Sequence, residues 1–98
     1  MAVTITLELN LKPEAVDDFC AGLPDAIKAT KQQQGFGDIR VVRHASEPRV
    51  LFVETWESEA DYDAYIAWRT ETGSMDALGS ILSAPPRKEI WPSLAAAA

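Results

Sequence analysis

RVLFVETWESEADYDAYIAWR, residues Arg49–Arg69, opens as an apolar run rich in β-branched residues and closes that run on Glu54-Thr55-Trp56. Four residues of turn and cap chemistry follow, and then a helical pattern carrying two tyrosines, a tryptophan and an arginine. A strand that hands directly to an aromatic-laden helix makes a rigid corner where large flat side chains gather. Ser58-Glu59-Ala60-Asp61 resembles a capping box, the local signal that starts the helix.

Working outward, Val50 to Trp56 is preceded by a second β-rich run, Ile39 to His44. The intervening Ala45-Ser46-Glu47-Pro48-Arg49 predicts a hairpin. At the N-terminus Val3, Ile5, Leu7, Leu9 and Leu11 alternate with Thr4, Thr6, Glu8 and Asn10, a period of two that predicts a strand. Pro13 suits the first position of a helix running to about residue 31, with Glu14, Asp17 and Asp18 at its positive end. Its apolar face is Val16, Phe19, Cys20, Leu23 and Ile27, and Pro24 inside it predicts a kink or break. Gln32-Gln33-Gln34-Gly35 ends the helix, with Gly35 as the left-handed cap. Thr72-Gly73 interrupts the later helix, Ser74 caps a shorter one, Pro85-Pro86 stops it, and Arg87 to Trp91 is a last strand.

The order is β-α-β-β-α-β with the second helical segment split. This predicts an α+β, ferredoxin-like domain over residues 1–92, a four-stranded antiparallel sheet with helices on one face. Residues 93–98 read as a disordered tail or a cloning remnant. Val41-Val42 and Val50-Leu51-Phe52-Val53 are apolar on both sides, whereas a sheet covered on one side should alternate. A second copy packed sheet to sheet is the economical cover, so a homodimer is expected.

Composition excludes several classes. The chain has 98 residues, room for one domain, and a net charge of −6 with 15 acidic residues against 9 basic ones. A phosphate backbone would be repelled, so no nucleic-acid partner is expected. One cysteine, Cys20, excludes an internal disulfide and multi-cysteine metal patterns, and its spacing is that of a buried apolar residue. No apolar run approaches the roughly 20 residues of a membrane span, and no signal peptide opens the sequence, so a cytoplasmic protein is expected.

The candidate site residues lie mostly on the opening stretch. Glu54 and Trp56 share a strand face with Val50 and Phe52. A carboxylate flanked by large aromatics is shielded from water and suits an acid or base, unless Arg40 or Arg43 pairs with it. Trp56 is either a core anchor or a pocket wall. Tyr62, Tyr65, Ile66 and Arg69 share one helix face with Trp68 at its edge, a set that packs a core or clamps a flat oxygenated ligand. His44, the only histidine, is a further candidate base at a strand end beside a charged turn.

Val53-Glu54-Thr55-Trp56-Glu57-Ser58-Glu59-Ala60, with Gly35-Phe36-Gly37 upstream and the Lys12-Pro13-Glu14 helix start, resembles the antibiotic biosynthesis monooxygenase (ABM) family over residues 3 to 92. The resemblance implies a dimeric α+β barrel and, in the best-known members, oxygen insertion into anthrone- or quinol-like aromatics with no metal or flavin cofactor. It implies that Trp56 walls a pocket between the sheet and the second helix. There Tyr62, Tyr65 and Arg69 would bind substrate oxygens, with Glu54 or His44 as base and a small aromatic ligand as partner. Haem-degrading relatives use an asparagine in the first strand, a tryptophan at the strand-turn and a histidine in the next helix. Trp56 matches, but residues Glu59 to Thr70 include no histidine and the asparagine position falls near Thr6, so haem is not expected. A non-catalytic ligand-binding dimer and a small isomerase or lyase are the alternative functions.

Overall fold

The computed structural model describes residues 2–95. Four strands, β1 (Val3–Asn10), β2 (Phe36–Arg43), β3 (Arg49–Trp56) and β4 (Arg87–Pro92), form one sheet in the order β2-β3-β1-β4. Every pairing is antiparallel, as the ferredoxin-like reading requires. Three helices, α1 (Val16–Lys31), α2 (Glu59–Glu71) and α3 (Ser74–Ser80), complete the fold. Of the proposed tail, residues 96–98 lie outside the described residues.

The β1–β3 register pairs Val3 with Trp56, Ile5 with Glu54, Leu7 with Phe52 and Leu9 with Val50. Because side chains alternate along a strand, all eight share the helix-covered face. Two core clusters form there. One gathers Val3, Ile5, Trp56 and Tyr62, and the other Leu9, Leu11, Val16 and Val50. The opposite face carries Val42, Leu51, Val53 and Trp91 among Thr4, Thr6 and Thr55. On it Val42 is 42% and Trp91 52% exposed, and the Trp91 indole donates to Thr6 Oγ1 at 3.0 Å.

Two local expectations are corrected, and of the kink or break expected at Pro24 the break is excluded. α1 runs through Pro24 without a break, after a single 3-10 turn at Pro13–Ala15. Pro24 is exposed, and having no N–H it cannot donate to the Cys20 carbonyl one turn earlier. Gly35 has the left-handed φ of 78°, but the helix is already capped at Gln32; the glycine instead shapes the turn into β2. Gly73, not Ser74, is the N-cap of α3, with φ 81°. Ser58 does cap α2, accepting from the Asp61 backbone N–H at 3.1 Å while its hydroxyl donates to the Asp61 carboxylate at 3.0 Å. Among the described residues no helix is long and apolar enough to cross a membrane.

Gly35 and Gly73 separate backbone strain from crowding. A Cβ on Gly35 would strike the Asp61 side chain, whereas one on Gly73 would meet open space. Gly73→Ala should cost only the left-handed penalty, about 1 kcal/mol, and Gly35→Ala roughly 2–3 kcal/mol. Urea denaturation of both variants checks the order; equal losses would contradict it.

Candidate functional site

Where the two core clusters meet, they do not close. A cavity of about 380 Å³ lies between the sheet and all three helices, within the roughly 300–1,000 Å³ of small-molecule sites. Its wall is mainly apolar, with Phe19, Phe52, Ile66 and Leu78 among the lining side chains. Glu54, Tyr62, Tyr65 and Arg69 are the ionisable groups that line it. The cavity is broader than expected, since α1 and α3 wall it as well as α2.

Glu54 is 3% exposed and forms no ion pair among the described residues. The expected partners are out of reach for a geometric reason. Ile39, not an arginine, stands opposite Glu54 on β2; Arg40 points to the other face, and Arg43 pairs farther along, with Val50. What Glu54 has instead is the Trp56 indole N–H, which donates to Oε1 at 3.1 Å. Burial pushes its proton affinity above the ordinary glutamate value, and the indole bond and the Arg69 charge offset that only in part.

Trp56 does not wall the cavity. It is 1% exposed and sits one layer behind, ringed by Phe36, Tyr62 and Tyr65 at centroid distances of 5.6, 5.9 and 5.0 Å. Its part is to hold the carboxylate and to pack. Tyr62 lies beside it, and burial, followed by the Glu54 charge, pushes its phenol well above the usual range. Tyr62 therefore stays protonated and remains a hydrogen-bond donor.

Arg69 is held firmly. Its Nε donates to the Tyr65 hydroxyl at 3.0 Å, and its Nη2 to the Ala26 carbonyl at 2.9 Å and Thr30 Oγ1 at 3.0 Å. Its guanidinium carbon lies 5.3 Å from the Tyr65 ring centroid and 5.0 Å from that of Trp68. Trp68 thus supports Arg69 from outside the cavity.

His44 is in the hairpin loop, not in the cavity. Its Nδ1 accepts the backbone N–H groups of Ser46 and Glu47 at 3.1 and 2.9 Å, so it shapes the turn. Thr30, whose hydroxyl reaches Tyr65 and Arg69, was missed by sequence reasoning. Its one available signal was a place one turn beyond Ile27 on the apolar face of α1. Among the described residues no three His, Cys, Asp or Glu side chains converge to hold a metal ion.

The Glu54 carboxylate sets a sign. Between the ordinary glutamate value of 4.5 and its raised folded value, the unfolded chain has lost a proton that the folded chain keeps. Stability on this account is greatest below 4.5, falls as pH rises through that window, and is level above it. Glu54→Gln keeps an acceptor for the Trp56 indole and removes the buried charge. It should melt a few degrees above the parent at pH 7, with the gap closing in acid, which calorimetry at several pH values checks.

A family model described as antibiotic biosynthesis monooxygenase matches residues 2–71. No curated protein sequence matches the chain. Among solved structures, a conserved protein from Methanosarcina mazei is 22% identical, with 93% of this chain and 91% of that one covered and a TM-score of 0.81. The Mycobacterium tuberculosis protein Rv0793 is 17% identical with both chains fully covered (100% each) and a TM-score of 0.86. A variant of SnoaB, a cofactor-independent oxygenase from Streptomyces nogalater, is 12% identical over 97% of this chain and 95% of its own, with a TM-score of 0.80. At these identities the structural likeness establishes the fold.

Proposed function

We propose that this chain, which belongs to the antibiotic biosynthesis monooxygenase family, oxidises a small phenol, quinol or polyketide-like aromatic with O₂, using Glu54 as base and no cofactor. The observation that carries this reading is a carboxylate with no ion-pair partner among the described residues, buried at a mainly apolar cavity, its proton affinity raised by burial. Burial that raises a carboxylate's proton affinity strengthens it as a base.

Glu54 takes the acidic proton of the bound aromatic, and Tyr62 donates a hydrogen bond to the oxygen on which charge collects. The substrate anion then supplies the electrons that reduce O₂, and a carbon–oxygen bond forms, leaving a peroxide on the substrate. For an anthrone-like methylene, loss of the second C–H proton and cleavage of the O–O bond give a carbonyl and water. One oxygen atom stays in the product and the other leaves as water. The apolar walls keep bulk water from protonating the anion first.

A second reading uses the same pair differently. One base beside one protonated phenol is also the equipment for moving a proton next to a ketone, an isomerisation that consumes no oxygen. The open sheet face supports a two-fold dimer, in which Val42, Leu51, Val53 and Trp91 of each copy would be covered.

Oxygen uptake should exceed the spontaneous rate with some member of a panel of anthrones and hydroquinones, and Glu54→Gln should lower it about 100-fold or more. Conversion of substrate without uptake would move the reading to isomerisation. Light scattering should give a dimer for the parent chain and a monomer for Val53→Asp; a monomeric parent would refute the assembly.

A further inference from the structure

Apart from Glu54, the only buried polar residue among those described is Thr30, 2% exposed on α1. The chemistry proposed above does not use it. Its hydroxyl lies 3.0 Å from the Ala26 carbonyl and 2.9 Å from the Tyr65 hydroxyl, and it accepts from Arg69 Nη2 at 3.0 Å.

Hydrogen counting fixes the direction of these bonds. A threonine hydroxyl has one hydrogen and two lone pairs. If that hydrogen pointed to Tyr65, oxygen lone pairs of Thr30 and Ala26 would face each other at 3.0 Å. Directed to Ala26, it leaves both Thr30 lone pairs free to accept, one from Tyr65 and one from Arg69, and every contact is favourable. The Tyr65 hydrogen is then held by Thr30, and the Tyr65 oxygen accepts from Arg69 Nε. Tyr65 has no hydrogen left for a ligand. Three of the five guanidinium N–H groups are engaged, and the two on Nη1 have no protein partner among the described residues.

We infer that Thr30 is a positioning residue. With the Ala26 carbonyl and Tyr65 it fixes Arg69 so that, of the guanidinium, only the Nη1 edge is left to receive the ionised oxygen of a flat phenol or enol. The inference rests on the cavity being the binding site proposed above, and it narrows the ligand to one carrying an oxyanion beside its ring system. It also reassigns Tyr65, from a substrate contact to part of the clamp. Tyr62 remains a donor to the ligand, and Trp68 steadies the guanidinium from behind. A fixed guanidinium suits an oxyanion better than a mobile one, since its ordering cost is met on folding and not on binding.

The test uses 4-nitro-1-naphthol, a flat phenol whose ionised form absorbs in the visible, titrated with pH while bound to the full chain. Of the ionisable groups lining the cavity, the Glu54 charge opposes ionisation of the dye, Tyr62 stays protonated, Tyr65 is hydrogen-bonded to Thr30, and Arg69 favours ionisation. The bound dye should ionise about 1 pH unit or more below its value in buffer. Thr30→Val, nearly isosteric but without the hydroxyl, should lose most of that shift, and Thr30→Ser should keep it. Tyr65→Phe should behave like Thr30→Val, and the double variant should be no worse than either, because both act through Arg69.

An unshifted dye, a Thr30→Val protein indistinguishable from the parent, or additive losses in the double variant would overturn the inference. Tyr65→Phe carries the test should Thr30→Val not fold. A shifted dye with no oxygen uptake on any substrate would sink the oxygenase reading and leave this one. Uptake dependent on Glu54 with an unshifted dye would do the reverse, and a dye that does not bind would sink the inference.

Discussion

The pairing register of β1 with β3 governs everything else in this molecule. Side chains alternate strictly along a strand, so a slip of one residue would send Glu54 and Trp56 to the open face and bring Val53 and Thr55 inside. The register is held because Val3, Ile5 and Leu9 lie opposite Trp56, Glu54 and Val50, and the two buried clusters form only in that alignment. The carboxylate is therefore carried into the interior by its neighbours. Its burial is a consequence of the apolar residues on either side of it, which gain more from the core than one charged group loses.

Given that placement, the site separates its charges. The carboxylate on β3 has an indole donor and no bonded cation, while the guanidinium on α2 is tied to α1 and to Tyr65. A direct Glu54–Arg69 bond would cancel both and leave a salt bridge at the cavity wall. Held apart, the carboxylate keeps its raised proton affinity and the guanidinium keeps its unengaged edge. The α1–α2 contact through Ala26 and Thr30 is what maintains this division, so a helix that contributes no ionisable group to the cavity still shapes its electrostatics.

Much of the architecture was legible because its causes are local. The period of two in residues 3–11, the Ser58 cap and the paired prolines after α3 each act over a few residues. The shared face of Tyr62, Tyr65, Ile66 and Arg69 followed from helical spacing, and all four line the cavity. What escaped depends on contacts between distant segments. Thr30 and Tyr65 are 35 positions apart, and nothing near Thr30 announces a guanidinium. Trp56 was equally open, since a buried indole and a pocket-lining one look the same in sequence; only the packing of Phe36 and both tyrosines decides. The Arg40 and Arg43 alternative failed on register, which a single strand does not reveal.

The match to the family ends at residue 71, where α2 ends, and Gly73 begins a separate seven-residue helix. Every ionisable group at the cavity falls inside the matched stretch, while the wall supplied by Met75, Leu78 and Ile81 falls outside it. The ionisable groups of the cavity and one part of its apolar wall are thus written in different parts of the chain. Substitutions in α3 reshape the cavity while leaving the strand that carries the carboxylate, and the register that buries it, untouched. A lineage built on this plan can change the shape of its cavity without disturbing the carboxylate and guanidinium that line it.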